Sequence, residues 1–152
     1  MKNNSKILHC KDYNWVGIEK KTYKTEGTGF KGISRFSLLG SGVREEALNF
    51  HTRYFEVSPA GYSSLEFHKH PHTVIVIRGS GSIILGDEVH DIGLHDVVYI
   101  SPDTIHQFHA DKGESLGFLC IVDRYRDKPQ IPDQHMLDEV MGDRKAQRKA
   151  RL

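Results

Sequence analysis

Between Phe50 and Asp123 turn signals recur about every 8–12 residues, and the runs between them are apolar or alternating. That spacing leaves room for short strands and none for a βαβ alternation. The expected fold class is therefore all-β, a sandwich or barrel. The runs that read as strands are Ile33–Leu39, ended by Gly40-Ser41-Gly42, then Phe50–Val57, ended by Pro59-Ala60-Gly61. Tyr62 to His70 reads as extended chain. Thr73–Arg78 is β-branched and nearly continuous, which predicts burial on both faces. Gly79 to Gly81 turns the chain into Ser82–Leu85, and Gly86-Asp87 is a hairpin turn leading to Glu88–Ile92. Val97–Ile100, His106–Ala110 and Ser115–Asp123 complete the set.

The flanks differ in character. Residues 1–30 read as an N-terminal arm, polar at first, with a strand starting near Trp15 and a loop or weak hairpin from Lys20 to Lys31. Residues 31–123 form the barrel, and 124–152 an extended arm followed by a basic helical tail. Gln134 to Met141 places Met136, Leu137, Val140 and Met141 on one helical face, and Gly142 should end that helix. The last residues carry Arg144, Lys145, Arg148, Lys149 and Arg151. No stacking aromatics accompany them, so a solvated end is expected rather than a nucleic-acid contact.

The chemistry concentrates in Glu66-Phe67-His68-Lys69-His70-Pro71-His72. In extended chain, side chains at every second position share a face, so one carboxylate and three imidazoles can aim at one point. These are the ligand types that borderline and hard divalent metals accept. A solvated polar edge is the alternative, and a metal site is favoured because the chain holds ten histidines. His109 lies three residues beyond His106 and should face the other way, as a surface or supporting residue. His90 and His95 sit by turns, and His9, His51 and His135 belong to no motif. Tyr62, Tyr99 and Phe108 read as core or pocket wall. Arg35 and Arg53 could reach an anionic substrate, although exposed strand arginines are commoner.

Composition sets outer limits. With 21 basic and 20 acidic residues the net charge is +1, so no global field favours nucleic acid. Two distant cysteines, Cys10 and Cys120, suit neither a disulfide framework nor a thiolate zinc cage. The first residues lack an apolar signal core, and no apolar run is long enough to cross a bilayer. A cytoplasmic protein is expected.

Two segments carry a family resemblance. Gly61 to Gly79 resembles the first motif of the cupin family, which runs from a glycine through His-x-His and a glutamate to a final glycine. Gly93 to Ala110, with Asp96, the strand Val97-Val98-Tyr99-Ile100, Pro102 and His106, resembles the second. His95, Ser101, Asp103 and Ala110 depart from its usual residues. The resemblance implies a cupin double-stranded β-helix, or jelly roll, with a short N-terminal arm and a C-terminal helical tail. It also implies a divalent transition metal, Mn, Fe, Ni, Co or Zn, near the mouth of the barrel. Counting back from Gly79 gives the ligand set Glu66, His68, His72 and His106. Reading His68-Lys69-His70 as the His-x-His gives His68, His70, His72 and His106 instead, and both sets remain open. Small single-domain cupins commonly pair, so a homodimer is expected.

Cys120 lies in Leu116-Gly117-Phe118-Leu119-Cys120-Ile121-Val122-Asp123. It reads either as a small core thiol or as a nucleophile facing the barrel interior, activated by a nearby metal or histidine. Glu66–Gly79 and Gly117–Asp123 together are similar to bacterial cupin enzymes that act on a methylthio-xylulose phosphate, using a metal and a cysteine to take the methylthio group. That resemblance implies catalytic roles for Cys120 and Glu66 and a small phosphorylated or polar substrate. The expected function is a metal-dependent isomerase, lyase or thiol-assisted sulfur transferase. An Fe- or Mn-dependent dioxygenase and a non-catalytic binding module are the alternatives.

Overall fold

The computed structural model describes residues 3–24, 29–142 and 144–152. The middle of the expected Lys20–Lys31 loop, including Gly27, and Asp143 of the tail lie outside the described residues. Strands β1 (Cys10–Lys11) and β2 (Asn14–Trp15) form a small hairpin. There follow β3 (Lys21–Thr22), β4 (Lys31–Leu39), β5 (Phe50–Tyr62), β6 (His72–Arg78), β7 (Ser80–Leu85), β8 (Glu88–Gly93), β9 (Val97–Ile100), β10 (His106–Ala110) and β11 (Leu116–Asp123). Helices α1 (Gln134–Met141) and α2 (Lys145–Lys149) close the chain. The architecture is the expected all-β jelly roll, with its short helices at the C-terminal end.

All pairings are antiparallel, in the order β8-β7-β10-β5-β11-β6-β9, with β4 on the other edge of β5 and β3 beyond it. The sheet curls because β5 serves two partners along one edge. Phe50 to Val57 pairs with β11, while Tyr62 pairs with His109 of β10. Between these stretches lie Pro59, Ala60 at φ 60° and Gly61. The expected turn at this place is instead a bend inside one continuous strand. Gly61 is required there, since a Cβ would sit 2.5 Å from the Lys31 carbonyl oxygen of β4. Gly79 does the same for the β6–β7 turn, where φ is 63° and a Cβ would collide with the Ser115 carbonyl.

Alternation then decides what faces inward. Along β11, Leu116, Phe118, Cys120 and Val122 are buried in one core with Phe55, Val57, Val74, Val76 and Phe108. On the reverse face, Leu119 and Ile77 pack with Phe36, Leu38 and Tyr54 under the N-terminal residues. Trp15 of β2 covers this face, its ring centroid 4.7 Å from that of Tyr54. Thr73–Arg78 is not buried on both faces. Val74 and Val76 are buried, Thr73 is exposed, and Ile75 and Ile77 are half-buried. Its β-branched composition reflects strand propensity on the outer face rather than complete enclosure.

The tail also departs from expectation, because it is docked. Asp133 caps α1 by accepting from the Met136 amide at 2.8 Å, and Gly142 ends the helix at φ 54°. Leu137, Met141 and Ala146 are buried against Leu65, Ile84 and Ile105, whereas Val140 is 40% exposed. The buried Gln107 side chain then clamps the last residues. Its Nε2 donates to the Arg151 carbonyl at 2.8 Å, and its Oε1 accepts from the Arg151 amide at 2.9 Å.

Candidate metal and thiol site

The histidines converge although two of the four are not on a strand. His72 opens β6 and His106 opens β10, while His68 and His70 lie in the irregular connection from β5 to β6. That connection is tied to β10 by a two-way bridge. The Glu66 amide donates to the His106 carbonyl at 3.1 Å, and the His106 amide donates to the Glu66 carbonyl at 2.9 Å. The Asp103 amide donates to the His68 carbonyl at 2.8 Å and fixes the next residues. The openings of two strands that are not neighbours in the sheet, with one pinned connection, thus bring together residues far apart in sequence.

His68, His72 and His106 are all buried, and each offers a ring nitrogen within 4.8 Å of the other two. Their tautomers follow from their partners. His68 Nδ1 donates to the His70 carbonyl at 2.7 Å, and His106 Nδ1 donates to the Thr104 carbonyl at 2.9 Å, since a carbonyl can only accept. Their Nε2 lone pairs are left pointing inward. His68 Nε2 is buried and has no hydrogen-bond partner among the described residues. Burial holds His106 down at about 4, with the Glu66 carboxylate opposing, and pushes His72 well below the usual histidine range. Neutral imidazoles with one nitrogen anchored and the other free are what a divalent ion needs. The donor set therefore fits a transition metal.

The two candidates for a fourth place are held differently. His70 Nδ1 donates to Asp127 Oδ1 at 2.7 Å, and its ring stacks on His68 with centroids 3.7 Å apart. Its Nε2 lies 3.0 Å from His72 Nε2. At that spacing both nitrogens would be able to hold one ion. Glu66 is also buried, but its Oε2 accepts from Lys24 Nζ and from Ser64 Oγ, both at 2.7 Å. Burial pushes its carboxyl up, yet Lys24 and the neighbouring polar groups outweigh that and hold it below its ordinary value. Asp127, which also accepts from the amides of Lys69 and His70, carries no sequence signal. It sits in the segment read as an extended arm.

Cys120 is buried, and its thiol faces the cavity. Sγ lies 3.6 Å from His72 Nδ1 and 3.4 Å from Arg53 Nη2. The register explains this, because Cys120 stands opposite Arg53 on β5 and Val74 on β6, and Val122 opposite His72. Burial raises the thiol, and the Arg53 guanidinium opposes that rise. The cavity has a volume of about 200 Å³ and is walled by Phe55, Phe108 and Phe118. Arg35, Arg53 and Arg126 line it too, so the first two are not ordinary exposed strand arginines. Tyr99, by contrast, is 66% exposed on the edge strand and forms no part of core or pocket. His90 and His95 are exposed as expected.

A family model described as Cupin domain matches residues 53–122. A Rhodospirillum rubrum protein named 1-methylthio-D-xylulose 5-phosphate methylsulfurylase is 40% identical over 133 residues, covering 86% of this chain and 82% of that one. The chain is a member of the cupin superfamily. A cupin 2 conserved barrel domain protein from Rhodopseudomonas palustris shares 38% identity at a TM-score of 0.82, over 91% of this cupin and 93% of that chain. A cupin 2 domain-containing protein from Halorhodospira halophila shares 42% identity at a TM-score of 0.75, over 95% and 94%. Among the described residues of this cupin, no helix is long and apolar enough to cross a membrane.

Proposed function

We propose that this cupin is a metal-dependent enzyme that removes the methylthio group from a 1-methylthio ketose phosphate, with Cys120 as the sulfur acceptor. The observation that carries the reading is the position of Cys120, a buried thiol between His72 and Arg53 on the cavity wall. The name of the relative at 40% identity supports the substrate class. In this reading His68, His72 and His106 hold the ion, and His70 supplies the fourth nitrogen in preference to Glu66. A bound divalent ion would act as a Lewis acid on the ketone.

The chain's own residues do the rest. Cys120 attacks the thioether sulfur as its thiolate, the form that Arg53 favours against the burial that raises the thiol. The bond between that sulfur and the substrate's C1 breaks, and its electron pair passes to C1 in conjugation with the ketone. Glu66, salt-bridged to Lys24, relays a proton to C1. The carbon is reduced and Cys120 is oxidised to a methyl disulfide, with the thiol's hydrogen accounted for on C1. A small-molecule thiol then regenerates Cys120 by exchange. The enzyme works in the cytoplasm as a homodimer, for which the outward apolar side chains Val97 and Tyr99 of β9 are the supporting feature.

The test is a single turnover of metal-loaded protein with 1-methylthio-xylulose 5-phosphate and no added thiol. One methylthio group should appear on Cys120 by peptide mass spectrometry, together with one equivalent of 1-deoxy ketose phosphate. Undiminished turnover by Cys120→Ser would sink the reading.

A further inference from the structure

We propose that Arg35, Arg53 and Arg126 form an anion subsite that binds the phosphoryl end of the ligand, across the Cys120 thiol from the histidines. This rests on the substrate class proposed above and assigns the residues that recognise its charged end.

The three guanidiniums come from separate elements, β4, β5 and the segment after β11, yet they line one cavity. Strand register accounts for two of them. Arg35 stands opposite Phe55 on β5, and Arg53 opposite Cys120 on β11, so both project from the inward face of the sheet. Arg126 follows β11, and its Nη1 reaches the Asp123 carbonyl at 3.2 Å and His51 Nδ1 at 3.0 Å. Among the described residues none of the three makes an ion pair with a carboxylate. The acidic groups of this region are used elsewhere, Glu66 by Lys24, Asp127 by His70 and Glu56 by Arg78. Two donors are left over, because Arg35 Nε and Arg53 Nε are buried with no hydrogen-bond partner among the described residues.

Like charges brought together on a partly desolvated wall repel, and buried donors without acceptors cost stability. Folding tolerates both costs where a ligand offsets them. A phosphate monoester offers about two negative charges and three acceptor oxygens, which complements convergent guanidiniums. A neutral sugar offers neither. The approach is basic as well. An adjoining depression shares Tyr23, Lys24, Arg35 and Pro129 with the cavity and adds Lys20, Lys21 and Lys128 against one acidic residue, Glu19. A positive rim of this kind steers anions inward. Geometry then fixes the orientation. His72 Nδ1 and Arg53 Nη2 both reach Cys120 Sγ, at 3.6 and 3.4 Å. A ligand held by the histidines and the arginines therefore lies against the thiol.

Calorimetric titration of metal-loaded protein with xylulose 5-phosphate and with xylulose tests this. Neither sugar carries a methylthio group, so the readout does not depend on sulfur transfer. The wild type should prefer the phosphorylated sugar by at least a hundredfold. Arg35→Gln and Arg126→Gln should each weaken its binding about tenfold or more. Xylulose affinity and metal content should stay unchanged, and Arg126→Lys should recover part of the loss. Melting curves identify any variant that has merely unfolded. Wild-type discrimination retained in both folded glutamine variants would overturn the subsite, even if sulfur transfer were demonstrated. A collapse of discrimination in those variants would uphold it, even if the wild type transferred no sulfur.

Discussion

The cavity's two ends use opposite electrostatic devices. At the histidine end burial lowers the basicity of His70, His72 and His106, and the Nδ1 atoms of His68, His70 and His106 each donate to an oxygen so that Nε2 faces inward. At the arginine end burial and mutual repulsion lower the basicity of Arg35 and Arg126, yet guanidinium stays charged in any protein. One end presents imidazole lone pairs, as a cation requires. The other is cationic and holds spare donors, as an anion requires. Cys120 touches both. The same desolvation thus prepares two kinds of binding, and the side-chain type alone decides which.

The strongest way to break this comparison is to remove one imidazole. His68→Ala deletes the buried nitrogen that has no hydrogen-bond partner among the described residues. We expect metal content by plasma emission spectrometry to fall to background and turnover to drop roughly a thousandfold. Retained stoichiometric metal would show that the inward nitrogens are not a coordination set.

The histidine end is legible in the sequence because its ligands cluster. Glu66, His68, His70 and His72 share one short stretch, and only His106 has to be supplied by a second motif. Sequence alternation still gives a wrong local picture, since the stretch is an irregular connection and only His72 lies on a strand. The convergence comes from the bridge to β10, a long-range contact with no local signature. The arginine end is barely legible for the same reason. Arg35 and Arg53 read as possible anion contacts, but nothing local separates them from exposed strand arginines. Arg126 and Asp127 sit in a charged arm without any pattern. The strands themselves read well because turn residues mark their ends. The bend at Pro59-Ala60-Gly61 misleads because a bent strand uses the same residues as a turn.

A smaller effect separates a ligand from its support. Asp127→Asn keeps the acceptor oxygen at His70 Nδ1 but removes its charge. Metal affinity by competition with a chelator should weaken about 10- to 100-fold, and the fold should persist. Unchanged affinity would remove His70 from the coordination set. Smaller again is the coupling of Arg53 to the thiol. Arg53→Gln removes the larger opposition to burial, leaving Arg126, and raises the thiol further. Alkylation of Cys120 at neutral pH should slow severalfold, because less of the thiol is ionised. An unchanged rate would assign thiolate stabilisation to the histidine end alone.

The smallest effect concerns a histidine outside the cavity. His109 is lowered to about 4 by burial and by Lys149 and Arg151, much as His106 is lowered by burial. Its Nε2, however, donates to Gln107 Oε1 at 3.0 Å and is aimed at the docked tail rather than at an ion. Below its ordinary value of 6.5 the unfolded chain takes up a proton there, while the folded chain resists until about 4. The unfolded state then binds more protons, so this contribution is full above 6.5 and is lost as pH falls toward 4. In urea titrations across that window, His109→Gln should lose less stability on acidification than the parent. Hydrogen exchange of residues 144–152 should report the same difference, because protonation sets His109 against Lys149 and Arg151. Metal content and turnover should not change. If His109→Gln lost metal, lowered basicity alone would have been enough to make a ligand; if it does not, the direction of the free nitrogen is what separates the cavity's histidines from this one.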